Sequence, residues 1–386
     1  MKICVYAICK NESNMVSRWL DSIAREADYV TILDTGSTDD TYDTLCNLSD
    51  NSYYSDEWSY KAKLIVEQYD YKKELGYFRF DKARNDSMKL IPNDVDICVV
   101  SDLDEVYEPG WSEILKQKFA QGYNQVQGYI INYNEAGKET FRYRSNKTHN
   151  NSPFWIWTRA IHEGIDYYGN EQVKTCFDPN LVVHHKQDQS KDRSLYRELL
   201  EYSCKEFPKD PYYGIYLGIE LMNRGCRAEA VTAFRRCLDE CDFTDNMATK
   251  CQTYLDLSSA TDDLDEALTA ALSAKQIAYN NGIKSRRIYV KLADVYEKLG
   301  DNKNAIICLE NALNEVPTYS SDWTDDKCYF DGYIEDRLSL FYYYKSQNYA
   351  KALEFASKAI QLDPDNNRIL NNMKFYYDAL IKSKEN

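Results

Sequence analysis

The chain has 386 residues, 44% of them hydrophobic, so it is long enough for two or three domains with real cores and is not a disordered chain. Acidic residues outnumber basic ones by 62 to 47, and the net charge of −15 makes nucleic acid and anionic membranes poor partners. Mean hydropathy is −0.64, and no apolar run reaches the roughly 20 residues that a membrane span needs. The short apolar opening Ile3–Cys9 is followed at once by polar residues, which predicts a buried strand rather than a signal peptide.

Up to about Asn180, predicted strands alternate with predicted helices. The strands are Ile3–Ile8, Tyr29–Leu33, Leu64–Tyr69 and Asp96–Val100, and the helices are Ser13–Ala24, Asp39–Leu48 and Lys82–Leu90. Because this alternation is typical of a mostly parallel sheet covered by helices, we expect an α/β domain. Ligands of such sheets bind beyond the carboxyl ends of the strands. Polar residues follow three of these ends, namely Asn11 and Glu12, then Asp34, then Asp102 and Asp104.

From about Ser194 onward the apolar spacing is helical throughout, and a motif recurs in which a turn residue precedes an alanine by five positions. The recurring alanines are Ala230, Ala267, Ala305 and Ala352. This pattern resembles tetratricopeptide repeats, which are helix pairs of about 34 residues. The longest interval contains an apparent inserted loop, Thr318–Cys328, and Asn367–Ile381 fits a capping helix. We therefore predict an α/β domain over 1–190 and a helical tetratricopeptide-repeat domain over 194–386.

The 12 cysteines and 14 glycines exclude several common sites. No two cysteines form a C-x-x-C pair, and some lie within apolar runs, as Cys4, Cys98, Cys237 and Cys308 do. This favours buried thiols in a reducing cytoplasm over a zinc site or a disulfide framework. The glycines form neither GxGxxG nor GxxxxGK[ST], so a glycine-rich phosphate loop does not hold any nucleotide bound here.

Two carboxylates, Asp102 and Asp104, follow the last predicted strand at positions i and i+2. In an extended backbone these side chains share one side, where their charges repel unless a cation lies between them. Hard oxygen ligands of this kind suit Mn²⁺ or Mg²⁺ carrying a diphosphate. The alternative is a solvated acidic loop, because D-x-D is common by chance.

Four segments, in this order, resemble the family 2 glycosyltransferases of the GT-A fold over about residues 1–185: Cys9-Lys10-Asn11-Glu12, Leu33-Asp34-Thr35-Gly36-Ser37-Thr38-Asp39-Asp40-Thr41, Phe80-Asp81-Lys82-Ala83-Arg84-Asn85 and Asp102-Leu103-Asp104. The resemblance implies a Rossmann-like GT-A domain that binds a nucleotide-sugar and Mn²⁺ or Mg²⁺. It implies donor-binding roles for Ala7, Asn11, Glu12, Asp34, Arg84 and Asp102, with the D-x-D motif on the metal. From the residues alone, turn and cap chemistry remains the alternative for Asp34, and a surface ion pair with Asp81 or Asp86 remains the alternative for Arg84.

The chain also resembles a narrower subgroup, which joins this transferase domain to tetratricopeptide repeats and includes transferases that glycosylate a cysteine of antimicrobial peptides. There a His-Glu pair lies on the acceptor side, and a later His follows a strand. The resemblance implies that Glu163 takes the acceptor proton and that His185 joins Asp102 and Asp104 on the metal. The usual family 2 base, an Asp in a Glu-Asp pair, has no counterpart here, so the base stays open between Glu163 and His162.

The remaining histidines and two tryptophans have simpler interpretations. His149 lies in a polar stretch and is predicted to be solvated, and His184 is predicted to pack within a strand. Trp155 and Trp157 alternate with Ile156, so the two indoles share one face. Stacking on a sugar and packing in a core are both open for them, and we favour packing for one of the two.

The sequence thus predicts a cytoplasmic, metal-dependent, inverting glycosyltransferase whose expected donor is a UDP-sugar. The acceptor is open among a peptide, a protein side chain, a glycan and a modified nucleobase. The repeats would bind the acceptor, hold a homodimer together or brace the first domain. Two alternatives remain, a nucleotidyltransferase that makes a sugar nucleotide and a non-catalytic repeat scaffold. A nucleotidyltransferase normally has a glycine-rich nucleotide loop near its N-terminus, and Ala7–Glu12 contains no glycine. Against a non-catalytic scaffold, the chain retains Asp102, Asp104, Glu163 and His185 together.

Overall fold

The computed structural model describes residues 1–49, 60–134, 136–186, 194–244, 246–316 and 327–385. The chain divides into two units, Met1–Leu199 and Leu200–Asn386. Nearly all of the predicted inserted loop, Thr318–Cys328, lies outside the described residues.

The first unit contains three groups of strands. Its strands are β1 (Ile3–Cys9), β2 (Tyr29–Asp34), β3 (Lys63–Gln68), β4 (Ile97–Val100), β5 (Glu105–Tyr107), β6 (Gln125–Tyr133), β7 (Glu139–Asn146), β8 (Thr148–Asn150), β9 (Trp155–Thr158), β10 (Gly164–Tyr167) and β11 (Thr175–His185). Its helices are α1 (Ser13–Ile23), α2 (Thr41–Ser49), α3 (Tyr71–Leu75), α4 (Phe80–Met88) and α5 (Trp111–Ala120). The strands form a five-stranded sheet in the order β3-β2-β1-β4-β8, a four-stranded sheet in the order β5-β11-β6-β7, and the β9–β10 pair.

The five-stranded sheet agrees with the predicted α/β pattern. Strands β1 to β4 pair in parallel, and β8 adds antiparallel to β4. Every residue of β1 is buried, as expected of a central strand covered on both faces. Helix α1 buries one face through Val16, Trp19, Leu20 and Ile23. The predicted mixed α/β domain is therefore confirmed. The four-stranded sheet was not predicted, because the chain after α5 connects its strands without helices.

His149 corrects a prediction, because it is buried rather than solvated. It lies in β8, is 1% exposed, and its Nε2 lies 2.9 Å from the hydroxyl of Tyr6. Burial lowers the pKa of His149 to about 4, against a smaller opposing effect of its hydrogen bond to the Asn150 carbonyl. The polar neighbours that suggested a loop belong to a short strand at the sheet edge, and the ring of Trp155 covers the imidazole at 5.4 Å between centroids.

The second unit is an array of helix pairs. Helix α6 (Tyr196–Glu206) begins at the end of the first unit, and the following helices are α7 (Pro211–Asn223), α8 (Arg227–Glu240), α9 (Met247–Ala260), α10 (Leu264–Asn280), α11 (Arg286–Lys298), α12 (Asn302–Asn314), α13 (Tyr333–Tyr344), α14 (Tyr349–Leu362) and α15 (Asn367–Glu385), with a 3₁₀ helix at Lys327–Phe330. Helices α7 to α14 pack as four consecutive pairs, and α15 packs on α14. The predicted capping helix is confirmed, and it continues four residues beyond Ile381.

The recurring alanines lie where the helices of each pair pack closely. Each belongs to the second helix of its pair, and all four are at most 2% exposed: Ala230, Ala267, Ala305 and Ala352. The turns before two of these helices contain Gly225 and Gly300, whose φ angles of 75° and 77° lie in the left-handed region that glycine tolerates best. The repeat signal therefore marks real helix pairs.

The cysteines and the helices agree with an array of ordinary globular cores. Each of the 12 cysteines has a free thiol, and the four that the sequence places in apolar runs are buried. Among the described residues, no helix combines the length and the apolar character that a bilayer crossing requires.

Candidate active site

The polar residues that follow β1, β2 and β4 lie at one edge of the five-stranded sheet, as the sequence predicts. These three strands are adjacent and parallel, so their carboxyl ends share an edge. Just beyond the strands, the amide of Thr35 donates to the carbonyl of Cys9 at 2.8 Å, and the amide of Ser101 donates to the carbonyl of Tyr6 at 3.1 Å. The loops after these strands are thus tied together before any side chain is considered.

Asp34 is fully buried at this edge and holds the turn that follows it. Its Oδ1 accepts the amides of Gly36 and Ser37 at 3.0 and 2.8 Å and the side-chain amide of Gln68 at 2.9 Å, and its other oxygen accepts the hydroxyl of Ser37. Gly36 is required here because its φ is 101° and an added Cβ would lie 2.7 Å from Asp70. The contacts with Gly36 and Ser37 are turn chemistry, that with Gln68 ties Asp34 to β3, and the nucleotide role of Asp34 stays a prediction.

The loop after β1 is also fixed by its neighbour. Asn11, with a φ of 55°, accepts the amide of Thr38 on its Oδ1 at 2.7 Å. Glu12 is buried, and its amide donates to the hydroxyl of Thr41 at 2.8 Å. Ala7 lies inside β1, and its methyl group packs in the core. These residues position the β1 loop, and their predicted contacts with a donor are untested.

Arg84, Asp102, Glu105, Lys147 and Glu163 form a group that we call the charge cluster. The Nε of Arg84 lies 3.0 Å from Glu163 Oε1, and its Nη2 donates to Asp102. The ammonium of Lys147 lies 2.9 Å from Glu105 and 3.4 Å from Asp102. Two cations therefore flank Asp102, and the carboxylates of Glu163 and Glu105 lie at the two ends of the network.

The electrostatics of the cluster keep both cations charged. Burial alone would lower the pKa of Lys147, but the charges of Asp102 and Glu105 outweigh it and hold that pKa well above its usual value. The pKa of Arg84 is likewise raised, since Asp102 and Glu163 outweigh the effect of burial. Burial raises the pKa of Glu105, which Lys147 opposes only in part. The Nη1 of Arg84 is buried and has no hydrogen-bond partner among the described residues.

Helix α4 positions Arg84 through the residue next to it. The side-chain amide of Asn85 donates to the carbonyl of Trp157 at 2.7 Å and accepts the Trp157 amide at 2.9 Å. The guanidinium of Arg84 lies 5.5 Å from the centroid of the same indole. The alternative of a surface ion pair with Asp81 or Asp86 is wrong, because Arg84 is 5% exposed and pairs with Asp102 and Glu163.

Both tryptophans of β9 are buried, while Ile156 between them is exposed. The Nε1 of Trp157 donates to Tyr6 at 3.1 Å, and that of Trp155 donates to Asn150 at 2.8 Å. The alternation in β9 is confirmed. The interpretation of one indole as a sugar-stacking surface is wrong in this structure, because both indoles point inward and pack in the interior.

The D-x-D segment is a turn, which corrects the expectation of an extended backbone. The amide of Glu105 donates to the carbonyl of Asp102 at 3.0 Å, and the Asp102 amide donates to the Glu105 carboxylate at 3.0 Å. In this turn the two carboxylates have different partners. Asp102 contacts the two cations, whereas Asp104 lies 3.5 Å from the Nε2 of His185. The cations beside Asp102 offset part of the repulsion between the two carboxylates.

Asp104 and His185 are the residues that best fit a divalent cation. The Nδ1 of His185 lies 2.9 Å from the amide oxygen of Asn132, an arrangement that assigns the proton to Nδ1 and turns Nε2 toward Asp104. Burial lowers the pKa of His185, but the hydrogen bond and charge of Asp104 raise it more, so a proton and a cation would compete for Nε2. Among the described residues, no group of three or more His, Cys, Asp or Glu side chains is placed to hold a metal. Further ligands would have to come from phosphate oxygens and water.

The hairpin between β9 and β10 carries the two candidates for the base. Glu163 is largely buried and its Oε1 is in the charge cluster, while its Oε2 has no hydrogen-bond partner among the described residues. His162 is exposed, with a φ of 51°, and its ring lies 6.4 Å from that of Tyr196 between centroids. The amide of Phe80 donates to the carbonyl of Ala160 at 2.9 Å and ties this turn to α4. Glu163 joins the cluster through Arg84, and the identity of the base stays a prediction.

The sequence did not indicate three residues of the site. Lys147 lies between β7 and β8, Glu105 begins β5, and Asn132 lies in β6. Glu105 directly follows the D-x-D motif and was the easiest to find, but neither Lys147 nor Asn132 belongs to a motif. His184 lies outside the cluster, where its Nε2 pairs with Glu108 at 3.0 Å and its Nδ1 with Tyr133 at 2.6 Å.

Comparison with known proteins identifies the helix pairs. A family model described as a tetratricopeptide repeat matches residues 287–315 and 337–366, which include most of α11 with α12 and most of α13 with α14. The second unit is therefore a tetratricopeptide-repeat solenoid in this region, as predicted. No curated protein sequence matches the chain.

Two solved structures are similar to part of this chain, each with a low TM-score. A crystal structure of MamA is 19% identical, with a TM-score of 0.34, covering 45% of this chain and 89% of that chain. A thermophilic TPR protein of Thermus thermophilus is 18% identical, with a TM-score of 0.32, covering 49% of this chain and 90% of that one.

Proposed function

We propose that the first unit is a glycosyltransferase of the GT-A type that uses a nucleotide-sugar donor, and that the repeat solenoid binds or presents the acceptor. The observation that carries this proposal is the charge cluster. It joins residues from four distant segments, with Arg84 in α4, Asp102 after β4, Lys147 before β8 and Glu163 before β10. Charged groups buried together at the carboxyl ends of parallel strands are typical of a ligand site rather than of a core.

The two cations suit the diphosphate of a nucleotide-sugar. Arg84 is buried and charged, and its Nη1 lacks a partner among the described residues. A buried donor without a partner is costly, and a phosphate oxygen would satisfy it with a charge-assisted hydrogen bond. Lys147 adds a second positive charge within 3.4 Å of Asp102. Both would stabilise the negative charge that develops on the leaving diphosphate.

Asp104 and His185 would hold Mn²⁺ or Mg²⁺, with Asp102 nearby in the cluster. When bound, the ion would act as a Lewis acid on the diphosphate. Asn132 would keep the His185 ring in the orientation that directs its Nε2 to the ion, because its amide oxygen accepts the Nδ1 proton.

Glu163 is the base that the geometry favours. Arg84 holds one of its oxygens at 3.0 Å, and the other oxygen remains available to take a proton from an acceptor hydroxyl or thiol. The deprotonated acceptor would attack C1 of the sugar from the side opposite the leaving group. That displacement inverts the configuration at C1 and releases a nucleoside diphosphate.

A non-catalytic repeat scaffold is the second candidate, and one observation favours it. The matched family model covers only helix pairs, and tetratricopeptide repeats generally mediate protein interactions. In that case the first unit would bind no donor. A screen of nucleotide-sugars for release of nucleoside diphosphate, with Mn²⁺ and a pool of cysteine- and serine-containing peptides, separates the two candidates. Mass spectrometry of the peptides then identifies any transferred sugar.

The test of the base uses Glu163→Gln, which keeps the shape of the side chain but cannot accept a proton. We expect sugar transfer to fall by about 10²–10⁴, the usual contribution of general-base catalysis, with little change in donor binding. A thiol acceptor should lose less than a hydroxyl acceptor, because part of it is already thiolate near neutral pH. The control is His162→Gln. If His162→Gln loses transfer while Glu163→Gln retains it, His162 is the base. If neither variant loses transfer, the base is elsewhere.

A further inference from the structure

Strand β10 has a free edge that begins beside Glu163. It pairs on one side with β9, and the sheet contains only these two strands among the described residues. Gly164, the first residue of β10, directly follows Glu163 in the chain. A segment lying along this edge would therefore pass the proposed base.

The register of the hairpin determines which backbone groups point outward. Trp157 uses both its amide and its carbonyl on Asn85, so it makes no ladder bonds to Ile165, its partner in β10. In an antiparallel pair such residues alternate with hydrogen-bonded ones, so the amide and carbonyl of Ile165 point away from β9. The amide of Tyr168 donates to the carbonyl of Phe154 at 2.9 Å, so Tyr168 is a hydrogen-bonded position. By the same alternation, the amide and carbonyl of its neighbour Tyr167 point away from β9, as those of Ile165 do.

These outward groups have no partner among the described residues, so the edge can accept another strand. The solvent face of the hairpin, next to the edge, bears three large apolar side chains, Phe154, Ile156 and Tyr168, which are 51, 40 and 60% exposed. The same face also carries Asp166, whose carboxylate is exposed. Exposed apolar side chains and a negative charge thus flank the unpaired backbone groups of β10.

We propose that this edge binds the acceptor as an extended peptide, which adds a strand to β10 and brings its nucleophilic side chain to Glu163. This inference rests on the proposed function and specifies its acceptor as a peptide segment without helical structure. From Ile165 to Glu163 is two residues, or about 7 Å along an extended strand, so a nucleophile near the middle of a short peptide reaches the base. Main-chain hydrogen bonds would supply affinity, and alternate apolar side chains would contact the exposed patch. The exposed carboxylate of Asp166 favours a peptide with basic ends, whereas the charge of Glu163 is already compensated by Arg84.

The test is residue-resolved amide exchange of the full chain, using the peptide acetyl-Lys-Val-Thr-Val-Ser-Val-Lys-amide as the probe. A chemical-shift titration gives its Kd. In the free protein, the amides of Ile165 and Tyr167 should exchange faster than that of Tyr168, which is bonded to Phe154. With the peptide at ten times its Kd, about a tenth of the edges stay open, so exchange at Ile165 and Tyr167 should slow about tenfold.

The matched control is the same peptide with its internal amides N-methylated, which removes its donors but keeps its side chains. It should leave both amides unprotected. The proposal is overturned if the first peptide protects neither amide, or if the methylated peptide protects them equally. It is also overturned if both amides are already protected in the free protein in proportion to protein concentration, because a second copy then covers the edge. The measurement needs no donor, so loss of donor turnover with intact peptide protection contradicts the proposed function and leaves this edge a peptide site.

Discussion

The two units of this chain differ in what they bury. The helix pairs of the second unit bury small apolar residues at regular intervals, such as Ala230 and Ala305. The first unit buries charge at one edge of its sheet, where Arg84, Asp104 and Glu105 are each at most 5% exposed. The second unit also buries the adjacent carboxylates Glu335 and Asp336 in α13, but Asp336 pairs with Arg368, which is largely exposed.

This difference separates architecture from function. Regular apolar burial stabilises a solenoid and would do so whatever the protein binds. Charges gathered in one place are expensive to desolvate, and they repay that cost only where they are well paired or serve a ligand. The contrast therefore indicates where in the chain function should be sought, and substitutions in the two units should have different signatures.

The largest expected effect is that of Arg84→Met. The substitution removes the cation of Glu163 and one of the two cations that flank Asp102, so two carboxylates lose their compensation. We expect the free energy of unfolding in urea to fall by about 3 kcal/mol, at the lower end for a broken buried pair because Lys147 remains. The matched control is Lys89→Met, which breaks an exposed pair with Asp86 and should cost less than about 1 kcal/mol. Equal losses in the two variants would contradict a buried cluster.

The next effect is a pH dependence due to His149. Burial holds its pKa at about 4 in the folded chain, below its ordinary value of 6.5. Between these values the unfolded state binds one proton more than the folded state. The contribution of His149 to the free energy of unfolding is therefore complete above pH 6.5 and is lost as the pH falls toward 4. The loss has a limiting slope of about 1.4 kcal/mol per pH unit. Urea unfolding from pH 7 to 4.5 should be less pH-dependent in His149→Gln than in the wild type, and parallel pH profiles would contradict the burial of a neutral imidazole.

The smallest effect tests close packing in the solenoid. Ala230 and Ala228 lie in the same helix, but Ala230 is buried and Ala228 is more accessible. Ala230→Leu should destabilise the chain by about 1–3 kcal/mol, because the larger side chain does not fit between the paired helices. Ala228→Leu should change the stability by less than about 0.5 kcal/mol. Thermal unfolding followed by circular dichroism compares them, and a tolerated Ala230→Leu would show that the pair is loosely packed.

Much of the fold was predictable because it depends on local periodicity. The first four strands and the helix pairs follow from apolar spacing, and the observed ends of these strands differ from the predicted ones by at most one residue. Strand β8 was missed because it is three residues long and polar, so His149 looked like part of a loop. Its burial arises from its partner strand β4 and from Tyr6, which are distant in sequence and carry no local signal.

The candidate site was predictable only in part, for a similar reason. Strand ends indicated Asp34, Asp102 and Asp104, since the edge of a parallel sheet follows from the order of the elements. The pairing of Asp102 with Lys147 could not be inferred, because it joins segments 45 residues apart and replaces the expected cation with a side chain. The direction of each D-x-D carboxylate depends on a turn that alternation along a strand does not describe.

The most direct test of the account is equilibrium dialysis of the four common nucleoside diphosphates against the full chain with Mn²⁺. We predict that one of them, with UDP expected, binds saturably at one site per chain. Binding should weaken at least about tenfold in Arg84→Lys, which keeps the charge but loses the planar fork, and should be unchanged in Lys89→Met. Absence of saturable binding, or equal binding by all three proteins, would contradict the claim that the charge cluster is a donor site.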